Sequence, residues 1–337
     1  MAAPQDPKVT RDPLLHAVLE DLSRVQSEAE QLAAEHRARQ ILNKASLFGT
    51  LEQEERRLLC YVSAWASNGQ IEHSDAAPLG SMLDAIGDVR GIDLMIHSPG
   101  GVGEMAEKLV EMCRARAREE FRVIVPNSAK SAATMIALGA DVIVMGDPSE
   151  LGPIDPQYEV AIAGVPHGIS GQSFVQAYDK AQEQVKELVA AGESPVGVLQ
   201  SLATTTMEPA FIEDCRRGIA FSRDVARNFL RDYHLPAKSG AAGNKTSDRQ
   251  MGQQARRAAD NLLSARTRFS HGRLIGGTEA RDEIGLHVEL LGRDDPTWTA
   301  YWELYVRAVV YMQSLPSLGE RPAAKLFFDR ESTLPAY

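Results

Sequence analysis

The chain has 337 residues, with 36 Lys and Arg against 46 Asp and Glu, for a net charge of −10. Hydrophobic residues make up 44% and charged residues 24%, ordinary globular usage that excludes wholesale disorder and supplies enough apolar surface for a sizeable core. The acidic balance excludes nucleic acid as the expected main partner, because phosphate backbones recruit Lys and Arg.

The first residues, MAAPQDPKVT, carry neither a basic start nor an apolar run, so no signal peptide is expected. From Pro13 to about Asn43, Leu14, Leu15, Val18, Leu19, Leu22 and Val25 recur at helical spacing and predict an amphipathic helix. The middle of the chain changes period. Leu58–Trp65 (LLCYVSAW) reads as a strand, 75–86 as a helix, and Ile92–His97 as a buried strand. A helix over Gly103–Ala117 and a second buried strand, Phe121–Val125, come next. Ser131–Leu138 reads as a small-residue helix ending at Gly139, and Asp141–Met145 as a third strand. Strands and helices in strict alternation are the mark of an α/β sheet with right-handed crossovers. Tyr158–Ser170 reads as a variable piece, before helical patterns over 172–191, 208–233 and 248–267. Between them, Ala237–Thr246 (AKSGAAGNKT) reads as a polar linker. Thr278–Ile284 reads as a short helix, Leu286–Leu290 as a short strand, and Asp295-Pro296 as the opening of a last helix over 297–315.

The three cysteines, Cys60, Cys113 and Cys215, lie far apart, with no CxxC or CxH cluster. No disulfide framework, metal site or cofactor is expected, and the pattern suits a reducing cytoplasm. The most apolar stretch, Ala132–Gly146, contains Asp141 and is shorter than the ~20 residues that span a bilayer, so no membrane insertion is expected.

Two loops follow buried strands and precede helices, the place where α/β sheets collect ligands. In Ser98-Pro99-Gly100-Gly101-Val102-Gly103, paired glycines can turn their N–H groups toward a substrate oxygen; a plain tight turn is the bland alternative. The same loop reads Gly101-x-Gly103-x-x-Ala106, but the next strand ends in Pro126-Asn127 without the ribose-binding carboxylate, which argues against a nicotinamide site. The second loop, Asn127-Ser128-Ala129-Lys130-Ser131, places Ser131 at a helix N-terminus, where the amides favour an oxyanion. A serine there is either a nucleophile or a simple cap, and Ser128 is its rival.

IHSPGG, AKSAATMIALGADVIVMG and SELGPIDPQ, in this order, resemble the serine dehydrogenase proteinase family, a distant relative of Clp-type proteases and signal peptide peptidase A. The likeness is close over 58–157 and resumes at Phe269–Ile275 and Glu283–Val288. It implies an α/β Clp/crotonase-like spiral of ββα units. The N-terminal helical segment would be 1–43, the core 44–160, and a mainly helical C-terminal part 161–337. It further implies serine endopeptidase activity on a peptide or protein substrate, and a homo-oligomer. By the resemblance Ser131 is the nucleophile and Gly100 and Gly101 are the oxyanion glycines, joined by Ala132 at the helix start. Lys130 before the serine and Ala133 in place of the usual glycine depart from the family pattern.

The base stays open. A Clp-type triad would place histidine near Leu151–Gln157, where Asp155 stands instead. A Ser-Lys dyad would use Lys180 or, next, Lys186, whose surroundings (AYDKAQEQVKELV) also read as a solvated helix face. His271, in Ser270-His271-Gly272-Arg273, is the third candidate. His97, before the glycine loop, reads equally as packing, and His167 reads as exposed. A catalytically silent scaffold and a crotonase-type acyl-CoA enzyme are the alternatives, although no paired carboxylates support hydratase chemistry.

Overall fold

The computed structural model describes residues 40, 42–162, 165–204, 208–241, 246–263, 272–315 and 322–336. The helix expected from Pro13 to about Asn43 lies outside the described residues over 13–39 and at 41, as does His271. The elements, in chain order, begin with α1 (Ala45–Leu51), β1 (Arg56–Ser63), α2 (Ala76–Ile86), β2 (Val89–His97), α3 (Gly103–Arg114) and β3 (Ala117–Val125). They continue with β4 (Ser128–Ala129), α4 (Ala132–Leu138), β5 (Val142–Met145), β6 (Glu150–Leu151), β7 (Gln157–Ile162) and β8 (Val165–Ser170). Then come α5 (Gly171–Ala190), α6 (Val196–Thr204), α7 (Pro209–Phe229), α8 (Leu235–Ala241) and α9 (Asp248–Leu263). β9 (Ile275–Gly276), β10 (Val288–Leu290), α10 (Pro296–Ser314), β11 (Lys325–Phe328) and β12 (Thr333–Ala336) complete the order.

The main sheet runs β10-β5-β3-β2-β1-β11-β12. Its strands from β10 to β1 are parallel, whereas β11 pairs antiparallel with β1 and β12 with β11. The fold is mixed α/β with a largely parallel sheet, as the alternation of elements predicts. A sheet buried on both faces needs apolar residues at odd and even strand positions alike. In β1, Leu59 and Tyr61 join the core beneath α2, α3 and α4, while Leu58, Cys60 and Val62 join the core under α1 and α10. In β2, Ile92, Leu94 and Ile96 face the first core and Met95 the second. Asp93 shares the parity of Met95, and its buried carboxylate is held by Arg122 (2.8 and 2.6 Å) and Arg56 (2.7 Å). Helix α10 starts as its sequence suggests: Pro296 takes the first turn and Asp295 Oδ1 accepts from the N–H groups of Thr297 and Trp298 at 2.7 and 3.3 Å.

Several expectations need correction. Tyr158–Ser170 is part of a β-hairpin, β7 and β8, paired from Gln157↔Ser170 to Ile162↔Val165. Leu235–Ala241 is helical, so the first part of the expected linker is ordered. The helix expected to reach Ala117 ends at Arg114, and Ala117 starts β3. Gly139 caps α4 as expected, with φ −76°; it is glycine because a Cβ there would run into Val110.

A buried ion pair ties β11 to the start of α2. Lys325 Nζ donates to Asp75 Oδ1 at 2.9 Å, and Asp75 Oδ2 accepts from Tyr61 Oη and from the Glu72 N–H, both at 2.8 Å.

Two buried histidines add an acid sensitivity. His234 is fully buried; its Nδ1 lies 2.7 Å from the Ala140 carbonyl and its Nε2 accepts the His287 N–H at 2.7 Å. Burial holds its pKa down to about 3. His97 accepts the Ser128 N–H on Nδ1 at 3.2 Å, and burial lowers its pKa to about 4. The unfolded chain binds these protons near pH 6.5 and the folded chain only near 3 to 4. Stability is therefore full above pH ~6.5 and falls as pH drops through that window, at up to ~1.4 kcal/mol per pH unit for each histidine. Thermal melts between pH 4 and 7 should show this slope, and His97→Gln should flatten it; an unchanged slope in the variant removes His97 as a contributor.

Candidate active site

The chain leaves β2 at His97 and β3 at Val125 on the same side of the sheet, and the two loops are stitched together there. Ser98 N–H donates to the Ser128 carbonyl at 3.0 Å, and Lys130 N–H donates back to the Ser98 carbonyl at 3.1 Å. The adjacency expected of the glycine and serine loops is thus made by backbone pairing. A third segment straps the glycines from the other side: Ile71 N–H donates to the Gly100 carbonyl at 2.7 Å, and Val102 N–H to the Ile71 carbonyl at 2.9 Å.

Both glycines are required by this crowding. Gly100 has φ 98°, and a Cβ on it would sit 2.6 Å from the Lys130 carbonyl oxygen and 2.7 Å from Ser131 Cβ. Gly101 has φ 151°, and its Cβ would strike the backbone of Ile71. Only glycine lets the first loop press this closely onto the second.

Ser131 stands at the N-cap position of α4, yet it makes no side-chain capping bond and has φ 50°, ψ −116°. Among the described residues only one other non-glycine residue, Glu55, has positive φ. Such a backbone costs about 1–3 kcal/mol and persists only where the surroundings hold it. The strained turn frees the hydroxyl from capping and presents it to a cleft of about 550 Å³. Gly101, Val102, Met135, Ile154 and Phe221 give the cleft apolar walls, and Glu104 is the charged residue on its lining.

Among the described residues the N–H groups of Gly101 and Ala132 donate to no acceptor, whereas Gly100 N–H is engaged by Ser98 Oγ at 3.2 Å. Of the three oxyanion candidates, two therefore keep an open donor, and Gly100 serves the close approach of the backbones. Ser128, the rival nucleophile, is buried and donates its hydroxyl to Glu150 Oε1 at 2.6 Å.

The candidate bases are distributed unevenly. Lys130 Nζ is turned away into a buried pocket, where it meets Glu150 Oε1 at 3.1 Å and the carbonyls of Leu151 and Arg273 at 3.1 and 3.2 Å. Lys180 is exposed on α5, and neither it nor Lys186, paired with Glu183 at 3.2 Å, lines the cleft. Asp155 is buried between Ile154 and Pro156 at the cleft edge and accepts from Gln157 Nε2 at 2.7 Å. His97 packs under α10 with Tyr305, ring centroids 5.0 Å apart, on the sheet face away from α4. His167 is exposed on β8. Among the described residues no three His, Cys, Asp or Glu side chains are grouped to hold a metal ion, and no helix is long and apolar enough to cross a membrane.

The sequence did not signal the Ile71 strap, nor that Tyr158 and Phe221 line the cleft. Phe221 comes from α7 and lies against Gly103, 3.1 Å from where its Cβ would be. Nothing in the local pattern of Gln70-Ile71 signals its role. Phe221 stands on an amphipathic helix like any core residue.

Comparison with known proteins agrees with the motif resemblance. Residues 71–189 match the ClpP-like SDH-type serine proteinases. The chain is 48% identical over 66 residues to an uncharacterized protein of Methanocaldococcus jannaschii, covering 20% of this chain and 23% of the relative. It is 34% identical over 144 residues to a second uncharacterized protein of that organism, covering 43% and 47%. The matches thus span less than half the length of these curated relatives. Among solved structures it aligns with a 1510-N membrane-bound stomatin-specific protease in complex with a substrate peptide at TM-score 0.30 and 13% identity, over 76% of this chain and 99% of that one. It also aligns with ClpP1 from Listeria monocytogenes at TM-score 0.29 and 14% identity, over 75% and 98%.

Proposed function

We propose that the chain is a serine peptidase whose nucleophile is Ser131. The observation that carries this reading is the strained φ of Ser131. A serine that only capped a helix would need no positive φ and would make the capping bond that is missing here.

Ser131 Oγ attacks the carbonyl carbon of a peptide bond, and its proton passes to the base. The oxygen of the resulting tetrahedral centre takes hydrogen bonds from the Gly101 and Ala132 N–H groups and the positive end of α4. Each such donor contributes a few kcal/mol to the transition state. The base returns the proton to the leaving amine, and water then hydrolyses the acyl-enzyme by the same route in reverse. For the base we propose His271, with Asp155 as the candidate carboxylate partner. Lys130 is committed to Glu150 and two carbonyls, and Lys180 faces solvent. The support for His271 is that Arg273, two residues beyond it, lends its carbonyl to the lysine directly before Ser131.

Fluorophosphonate labelling followed by mass spectrometry tests the assignment. One adduct on Ser131 is expected, absent from Ser131→Ala, with His271→Gln slowing its formation roughly 10²–10⁴-fold. An adduct that persists in Ser131→Ala overturns the nucleophile, and an unchanged rate in His271→Gln overturns the base.

A further inference from the structure

A second cavity, of about 300 Å³, opens among the start of β1, the end of α2 and the turn between β11 and β12. It is small for a ligand site, with room for one metabolite rather than a polypeptide segment. Glu52, Asp329 and Glu331 line it together with Arg57 and Arg330, and of these Glu52 and Arg57 do not pair with each other. The Glu52 side chain is 5% exposed; its Oε1 accepts the Leu58 N–H at 3.0 Å, but its Oε2 is buried with no hydrogen-bond partner. The nearest cation, Arg330, lies 3.7 Å away, beyond hydrogen-bond distance, with its side chain 58% exposed. Arg57, on the same lining, forms no ion pair among the described residues; its guanidinium donates one long hydrogen bond, 3.4 Å, to the Arg56 carbonyl. Leu58, Ala85 and Ile86 supply an apolar wall.

A buried carboxylate oxygen without a donor is costly and rare in folded proteins. A half-buried guanidinium without an anionic partner among the described residues, lining the same space, has the opposite demand. A metal ion would satisfy only the first, and no metal-holding group is present among the described residues. We propose that this cavity binds a free α-amino acid with an aliphatic side chain. Its ammonium would donate to Glu52 Oε2, its carboxylate would accept from Arg57, and its side chain would lie on Leu58, Ala85 and Ile86. The cavity shares no lining residue with the Ser131 cleft, so this site does not depend on the peptidase assignment.

Isothermal titration of the full chain with L-leucine, N-acetyl-L-leucine and L-leucinamide tests the proposal. Leucine is expected to bind at one site, with each blocked derivative at least tenfold weaker, because each loses one of the two charge contacts. Glu52→Gln should weaken leucine at least tenfold, and Arg57→Met should weaken leucine while leaving leucinamide unchanged. Arg57→Met removes no ion pair, so it reports even where Glu52→Gln impairs folding. No heat with any of the twenty common amino acids at millimolar concentration overturns the proposal. So does equal binding of the blocked derivatives, or leucine binding that survives both substitutions.

Discussion

Ser131→Gly is expected to abolish turnover and at the same time to make the protein more stable than Ser131→Ala. Both variants remove the hydroxyl, and loss of a serine nucleophile lowers peptide hydrolysis by roughly 10⁴-fold or more. They differ in the backbone. Alanine keeps a Cβ at φ 50°, ψ −116° and retains the strain of about 1–3 kcal/mol, whereas glycine adopts that conformation freely. Glycine also gives the unfolded chain more freedom, which offsets ~0.4–1 kcal/mol of the gain. The net difference should be about 1 kcal/mol in favour of glycine, read as a higher denaturant midpoint. Equal midpoints, or a more stable alanine variant, would mean that the turn at Ser131 is not strained and would remove the main support for its catalytic role.

The largest stability effect should come from the Asp75–Lys325 pair. The two side chains are 1% and 4% exposed, so removing one partner strands a charge in the interior, at a cost of about 3–5 kcal/mol. Lys325→Met should show this in urea unfolding. Asp75→Asn with Lys325→Met should recover part of it, because no uncompensated charge remains and the asparagine carbonyl can still accept from Tyr61 Oη and the Glu72 N–H. Asp75 fixes the Glu72 amide one residue after Ile71, whose backbone holds Gly100 and Val102 in place. Lys325→Met should therefore also slow labelling of Ser131 in the fraction still folded. A single variant that loses less than ~1 kcal/mol would contradict the pair's burial.

The central strands were legible because burial on both faces leaves an unbroken apolar run. LLCYV and VIVM announce themselves in this way, and IDLMI and FRVIV do so with one interruption each, Asp93 and Arg122, which pair with each other. The two loops were legible because glycine and small residues gather where backbones must touch, at Gly100, Gly101 and Ala129 to Ala133. Other parts depend on partners remote in sequence. KLFF in β11 is four residues long and becomes a strand by pairing with Cys60 to Ser63, which no local pattern records. The β7–β8 hairpin carries exposed residues on much of β8, so it lacks the alternation that marks a half-buried strand. The character of Lys130 was equally hidden. Its position beside Ser131 suggests chemistry, but its side chain turns to Glu150, and only the placement of β6 and β9 decides that.

The pairing of β1 with β11 also sets an order of events. Cys60 cannot meet Phe328 until nearly the whole intervening chain has been synthesised, so closing this part of the sheet is a late, long-range step with a large loop-closure cost. Until it happens, Asp75 lacks Lys325 as its counter-ion and holds the Glu72 amide and Tyr61 Oη alone. During synthesis the turn at Ser131 is thus complete in sequence long before it is complete in shape.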